Sequence, residues 1–176
     1  MQALAFWKAV AMDQANFLEG LIGLLNEHQI RYCVIGGQGV NAYAEPLVSL
    51  DLDLVVAVDQ LADVERLVSE QFHAERFPHS LNVSVADSQL RVQIQTDPRY
   101  FPFPDRASVR DVLGLRLPVA AVEDILHGKI WAAQDPERRA SMRRKDLLDI
   151  ERLIEVRPEL RGHVPVEILA RLSSPL

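Results

Sequence analysis

Asp51 and Asp53 stand two residues apart in the run Ser49-Leu-Asp-Leu-Asp-Leu-Val-Val-Ala-Val58. Side chains alternate faces along a strand, so both carboxylates share one face, their Cα atoms roughly 7 Å apart. Leu50, Leu52 and Leu54 point the other way, into a core. Two carboxylates side by side repel unless a cation lies between them. Hard divalent cations such as magnesium take oxygen ligands of this kind and keep positions open for water and phosphate. Upstream, Gly36-Gly37 ends the β-rich run Ile30–Ile35. Glycines there let backbone N–H groups approach a phosphate closely at the start of a short helix. A phosphate cradle and a metal-binding carboxylate pair on adjacent strands would hold a nucleoside triphosphate. The metals would polarise the α-phosphate and stabilise the leaving pyrophosphate.

Positioning these groups needs a sheet with helices upon it. Phe17, Leu18, Leu21, Ile22, Leu24 and Leu25 form an apolar stripe at helical spacing over 13–26, with Asp13 as N-cap. The strand 30–35 follows, then one or two helical turns over 38–44 that Pro46 stops, then the strand 49–58. Asp59 is placed to cap a helix with the stripe Leu61, Val64, Leu67 and Val68. Strands over 81–86 and 90–95 read as a hairpin joined at Asp87-Ser88-Gln89. Three prolines among aromatics make 97–105 a loop with turns. A further strand is expected over 112–117, ended by Pro118. Helices are expected over 122–134 and 136–155, with a short last one starting near Val164. This order argues for an α/β (α+β) fold: a mixed β-sheet with flanking helices over residues 1–118, and a helical C-terminal part over 119–176 packed on it.

Composition narrows the function classes. Among 176 residues, 48% are apolar and 25% charged, the balance of an ordinary globular chain able to bury a core without staples. Cys33 is the one cysteine, which excludes a disulfide framework and a cysteine-based zinc site, and its apolar setting reads as a small buried hydrophobe. A net charge of −6 argues against a general polyanion binder, so any nucleic-acid contact must come from a local basic patch. No apolar run is long enough to span a bilayer, and the first residues lack a signal-peptide pattern, so the expected location is cytoplasmic, without membrane contact. Walker A, Gly-x-Gly-x-x-Gly and His-x-x-x-His patterns are absent.

The stretch from Tyr32 to Val56 resembles the signature of the nucleotidyltransferase superfamily: a glycine pair after a strand, a short helix, and a hydroxyl residue, here Ser49, shortly before Asp-x-Asp. The stretches Leu117–Lys129 and Arg144–Leu153 resemble the later helices of the AbiEii-like toxin branch. That resemblance implies a nucleotidyltransferase-like fold and adds Lys129 and Asp146 to the site. It also implies transfer of a nucleotidyl group to an acceptor, and the role of a toxin with a protein antitoxin as partner. Two departures stand out. Leu47 follows Pro46 where many members carry arginine. Gln93 stands where a third carboxylate is expected, on a face shared with Arg91, Gln95 and Asp97; Asp97 and Asp146 are the two candidates to replace it.

The expected assignment is therefore Gly36, Gly37, Ser49 and Lys129 for the nucleotide, Asp51 and Asp53 for Mg2+ as a two-metal site, and Lys129 and Asp146 completing the catalytic set. Arg138, Arg139, Arg143, Arg144 and Lys145 are a candidate patch for an RNA acceptor, against the blander reading of a solvated face paired with nearby glutamates. Lys129 has the alternative of a snorkelling surface lysine, and Asp146, with Asp149 three residues on, that of a charged helix face. Tyr43 and the Arg99–Pro104 aromatics are secondary candidates for base or phosphate contact, or for loop packing. The rival to an enzyme is a nucleotide- or partner-binding module of the same fold that has lost its chemistry, and Gln93 is the feature favouring it.

Overall fold

A computed structural model describes residues 2–172, with side chains from residue 14 onward. The chain begins with helix α1 (Gln2–Glu27), which leads into β1 (Tyr32–Ile35) and the short helix α2 (Gly36–Asn41). Strand β2 (Asp51–Val56) and helix α3 (Leu61–Gln71) follow. Next come β3 (His73–Phe77), β4 (Ser80–Ser84), β5 (Arg91–Gln95), β6 (Ser108–Val112) and β7 (Leu115–Val119). Helices α4 (Val122–Gln134), α5 (Ala140–Val156) and α6 (Val166–Leu172) complete the described residues.

The strands form one mixed sheet in the order β3-β4-β5-β2-β1-β7-β6. β2 lies near its centre, antiparallel to β1 and parallel to β5. The register sets Asp53 between Ile35 and Gln93, and Asp51 beside Arg91. Along β2 and β5 the pleat separates two chemistries. Leu52, Leu54, Val92 and Ile94 are buried, while Asp51, Asp53, Arg91 and Gln93 face the other side. The α1 stripe is buried as its spacing predicts, and Phe17 meets Phe72 edge-on at 5.4 Å. Cys33 is fully buried, and desolvation pushes its thiol up to about 12, so it behaves as a core hydrophobe.

Several local expectations are corrected. α1 starts at Gln2, so position 13 lies inside the helix rather than at its start; the side chain of Asp13 lies outside the described ones. Asp59 does not cap α3; it sits in a 3-10 turn (Val58–Gln60) and pairs with Arg31 at 2.8 Å. The single strand expected over 112–117 is a hairpin, β6 and β7, turning at Leu113-Gly114, both at positive φ. Pro118 falls inside β7 rather than ending it, opposite Val109 on the edge strand β6; a proline is accommodated where no ladder N–H is needed. β3 is an extra edge strand, mostly exposed, so it lacks the alternation that would mark it. α5 begins at Ala140 rather than near Pro136, because Asp135 accepts from the Glu137 N–H and holds a turn there. Residues 158–163 form a 3-10 turn before α6.

Ile94 is fully buried on the central strand β5. Ile94→Ala is expected to cost roughly 2–5 kcal/mol, seen as a lowered urea midpoint at unchanged slope; a loss below about 1 kcal/mol would mean this face is not the packed core.

Candidate active site

Gly36 and Asp53 meet at the end of β1. Gly36 has φ +64°, and a Cβ built on it would lie 2.0 Å from Asp53 Oδ2. A side chain there is doubly excluded, by handedness and by the carboxylate. Gly37 has open space around its Cα, and both glycines line a cavity of about 310 Å3. That cavity reaches from Ser49, Asp51 and Asp53 to Lys129 and Asp146 on the helices, and across to Asn82, Gln93 and Gln95 on β4 and β5. Gly39 packs against α4, where an added Cβ would fall 2.7 Å from Ile125 Cδ1. Close approach of α2 and α4 thus brings Lys129 towards the strand ends.

Lys129 is no snorkelling surface residue. It is buried, with Nζ 3.1 Å from Asp146 Oδ1 and 2.7 Å from Asp149 Oδ2. The second contact is an ion pair without the alignment of a hydrogen bond. Desolvation works against the ammonium, but Asp149 and Asp146 outweigh it and hold its pKa above the ordinary lysine value. Asp146 also accepts from Arg138 Nε at 2.6 Å, and Asp149 from Arg152 Nη1 at 2.7 Å. The charged-face reading of Asp146 and Asp149 therefore fails: both are buried members of one ion cluster. Of the basic patch, Arg138, Arg139 and Lys145 line the cavity, and Arg143 donates to the Asp135 carbonyl. Arg138 spends its charge on Asp146 rather than on a nearby glutamate.

Asp51 and Asp53 share the cavity face as their spacing predicts. Burial, and then the adjacent Asp51 charge, push the Asp53 carboxyl up to about 6, while Lys129, Arg138 and Lys145 pull it the other way. Arg91 Nε reaches Asp51 Oδ1 at 3.0 Å on the exposed rim. Ser49 is drawn in by two bonds: its carbonyl accepts from Gln38 Nε2 at 3.0 Å, and its Oγ accepts from the Asp51 N–H at 3.3 Å.

The two replacements considered for a third carboxylate fare differently. Gln93 is in direct register with Asp53 and lines the cavity. Asp97 is turned away: it accepts from the Arg99 N–H at 3.0 Å and from its guanidinium, capping a 3-10 turn. Asp146 lines the cavity, but both its oxygens are engaged by Lys129 and Arg138. Among the described residues no cluster of three or more His, Cys, Asp or Glu is arranged to hold a metal. Tyr43 serves the loop instead, donating to the Ala120 carbonyl at 2.8 Å beneath Arg110. Tyr100 and Phe103 pack on Trp131 and form part of the cavity wall. Sequence reasoning passed over Arg152 and Gln38; the first stands one helical turn after Asp149 and the second directly after the glycine pair, and spacing alone does not announce either.

Two outcomes test this geometry. Gly36→Ala is expected to cost more than roughly 1–2 kcal/mol of stability, whereas Gly37→Ala is expected to stay within about 0.5 kcal/mol; equal effects in urea melts would contradict the Gly36–Asp53 contact. The raised Asp53 pKa means the native state holds its proton more tightly than the unfolded chain. That contribution is full below the ordinary carboxyl value of 3.8 and is lost as pH rises through about 6. Asp53→Asn is then expected to gain on the wild type between pH 4 and 7, by an amount on the order of 1–3 kcal/mol; a pH-independent difference would remove this reading.

Known proteins resemble this chain in sequence and in fold. A family model described as nucleotidyl transferase AbiEii toxin, type IV TA system, matches residues 48–172. Among curated protein sequences none matches significantly. Among solved structures, ANT(2")-Ia in complex with adenylyl-2"-tobramycin is similar over 86% of this chain and 98% of its own, with TM-score 0.54 and 12% identity. JHP933 from Helicobacter pylori is similar over 92% and 72%, with TM-score 0.54 and 18% identity. The Megavirus polyadenylate synthase is similar over 84% of this chain and 32% of its own, with TM-score 0.54 and 15% identity. At these identities the likenesses speak for the nucleotidyltransferase fold alone, whereas the family match covers most of the sequence. The chain belongs to the AbiEii nucleotidyl transferase toxin family of type IV toxin–antitoxin systems.

Proposed function

We propose that this protein binds a nucleoside triphosphate with magnesium and transfers its nucleotidyl group to an acceptor hydroxyl or phosphate. The observation that carries the reading is the Asp53 carboxyl, pressed against Gly36 and pushed up to about 6 beside a second carboxylate. A hard divalent cation relieves that charge crowding, and the donor set fits it. Asp51 and Asp53 would hold the cation, and a second ion would draw on the Gln93 carbonyl, water and phosphate oxygens. When bound, the metal supplies charge neutralisation at the α-phosphate.

The chain's own groups do the rest. Gly36 and Gly37 offer backbone N–H groups to phosphate, and Ser49 a hydroxyl. Lys129 supplies a fixed positive charge that does not have to reorganise as negative charge builds on the leaving pyrophosphate. Asp146 keeps Lys129 oriented, and is the carboxylate that would take the acceptor proton. Arg139 and Lys145 at the mouth suit an anionic acceptor such as RNA. By family, the protein acts as the toxin of a toxin–antitoxin pair, with a protein antitoxin as its functional counterpart.

A second reading, nucleotide binding with the chemistry lost, is favoured by Gln93 standing directly beside Asp53. One experiment separates these readings. Each ribonucleoside triphosphate is titrated calorimetrically with and without magnesium, into wild type and Asp51→Asn/Asp53→Asn, and the best ligand is then offered α-labelled with total RNA. Magnesium-dependent binding weakened at least roughly a hundredfold by the double substitution, with label passing to RNA, is the expected result. Binding without transfer to any acceptor supports the second reading. No binding of any triphosphate by the folded protein sinks both.

A further inference from the structure

Arg152 ties the Lys129 cluster to the loop delivering Asp51. It lies on α5 with a side chain only 12% exposed. Its Nη1 donates to Asp149 Oδ1 at 2.7 Å, while Asp149 Oδ2 faces Lys129 Nζ at 2.7 Å. Its Nη2 donates to the Asn41 side-chain oxygen at 2.9 Å and to the Glu45 carbonyl at 2.5 Å.

Asn41 hands this anchorage on. Its Oδ1 accepts from the Leu47 N–H at 3.0 Å, and its Nδ2 donates to the Leu47 carbonyl at 2.7 Å and to Gln38 Oε1 at 3.2 Å. Gln38, itself buried, holds the Ser49 carbonyl, and Ser49 Oγ receives the Asp51 N–H. A continuous polar path thus runs from Lys129 through Asp149, Arg152, Asn41 and Gln38 to Asp51.

Resting on the nucleotidyl-transfer reading, we infer that Arg152 is a positioning residue that fixes Lys129 and the Asp51 loop relative to each other. The planar fork suits arginine to this place: its two terminal nitrogens, held rigidly apart, meet the Asp149 carboxylate on one side and the Asn41 and Glu45 oxygens on the other. One oxygen of Asp149 is committed to Arg152, which leaves only the other for Lys129. Without Arg152 that carboxylate is free to rotate, and residues 42–50 lose their side-chain tie to α5.

The test uses wild type, Arg152→Met, Lys129→Met and the double variant. Affinity for the magnesium complex of the best-binding triphosphate is measured, along with urea midpoints. Arg152→Met is expected to weaken nucleotide binding roughly tenfold but by no more than about threefold once Lys129 is already methionine, the remainder passing through the Asp51 loop. A merely structural role would lower the urea midpoint in both backgrounds and leave the two affinity effects equal. Equal effects, or no loss in the single variant, overturn the inference.

A second measurement needs no nucleotide, so it stands even if the wild type binds none. Lysines are pulse-acylated and read by mass spectrometry, with exposed Lys145 as the control. Arg152→Met is expected to raise the Lys129 rate about fivefold or more, with Lys145 and the amide exchange of α4 unchanged. Undiminished protection of Lys129 overturns the inference, whatever the nucleotide titration gives.

Discussion

A lysine ammonium buried between two buried aspartates is the constraint on which the site depends. Removing three such charges from water costs several kcal/mol each unless geometry and further partners repay it. The protein meets that requirement with Arg138 on Asp146 and Arg152 on Asp149. Three cations against two carboxylates leave one net positive charge, and Lys129 and Arg138 act directly on Asp53. The cluster therefore does two things at once. It locks α4 to α5, and it sets a fixed positive potential opposite the Asp51/Asp53 pair. Weakening it to gain stability would remove the field, and a hydrophobic replacement that packed as well would remove it entirely.

The same pairing logic explains the glycine pair. Asp53 is held close to Gly36 because no side chain lies between them. Antiparallel pairing of Ile35 with Asp53 fixes that approach, and parallel pairing of Asp53 with Gln93 fixes the other side. The carboxylate is thus walled in by backbone on one flank and by an uncharged amide on the other. Desolvation follows from this enclosure, and the raised pKa follows from desolvation.

Much of this was legible in the residue order. The strict alternation of Ser49–Leu54 placed both carboxylates on one face, and the apolar stripes of α1 and α3 announced packed helices. The α4 limits, Val122–Gln134, match those expected. What escaped reading has two physical causes: strands at an exposed edge carry no hydrophobic period, and some contacts join residues far apart in sequence. β3 pairs at an exposed edge and so carries no hydrophobic period. β6 and β7 share a turn with only one glycine, and the proline that looked like a stop is tolerated because β7 pairs with β1 only at Val119, so no ladder N–H is needed at Pro118. Arg152 reads as one more charge on a charged helix until its partners, 107 and 111 residues away, are brought to it. Burial of Lys129 likewise follows from the α2–α4 approach at Gly39, which no local pattern encodes.

Gln93 then has a definite electrostatic consequence. Asp97 is spent on a turn and Asp146 on two cations, so the face proposed for the metal carries two carboxylates and not three. Those two already feel the positive cluster and, at the rim, Arg91. Such a face attracts a lone divalent ion weakly, since each missing anionic ligand removes a Coulomb contribution that water replaces only in part. A triphosphate changes the balance, because it brings its own negative charge to both the metal and Lys129. On the proposed reading, metal and nucleotide therefore reinforce each other: the nucleotide supplies the anionic oxygens that the third strand position lacks. On that same reading the neutral amide beside Asp53 would make occupancy of the site conditional on substrate, without disturbing the register that holds Asp53 against Gly36.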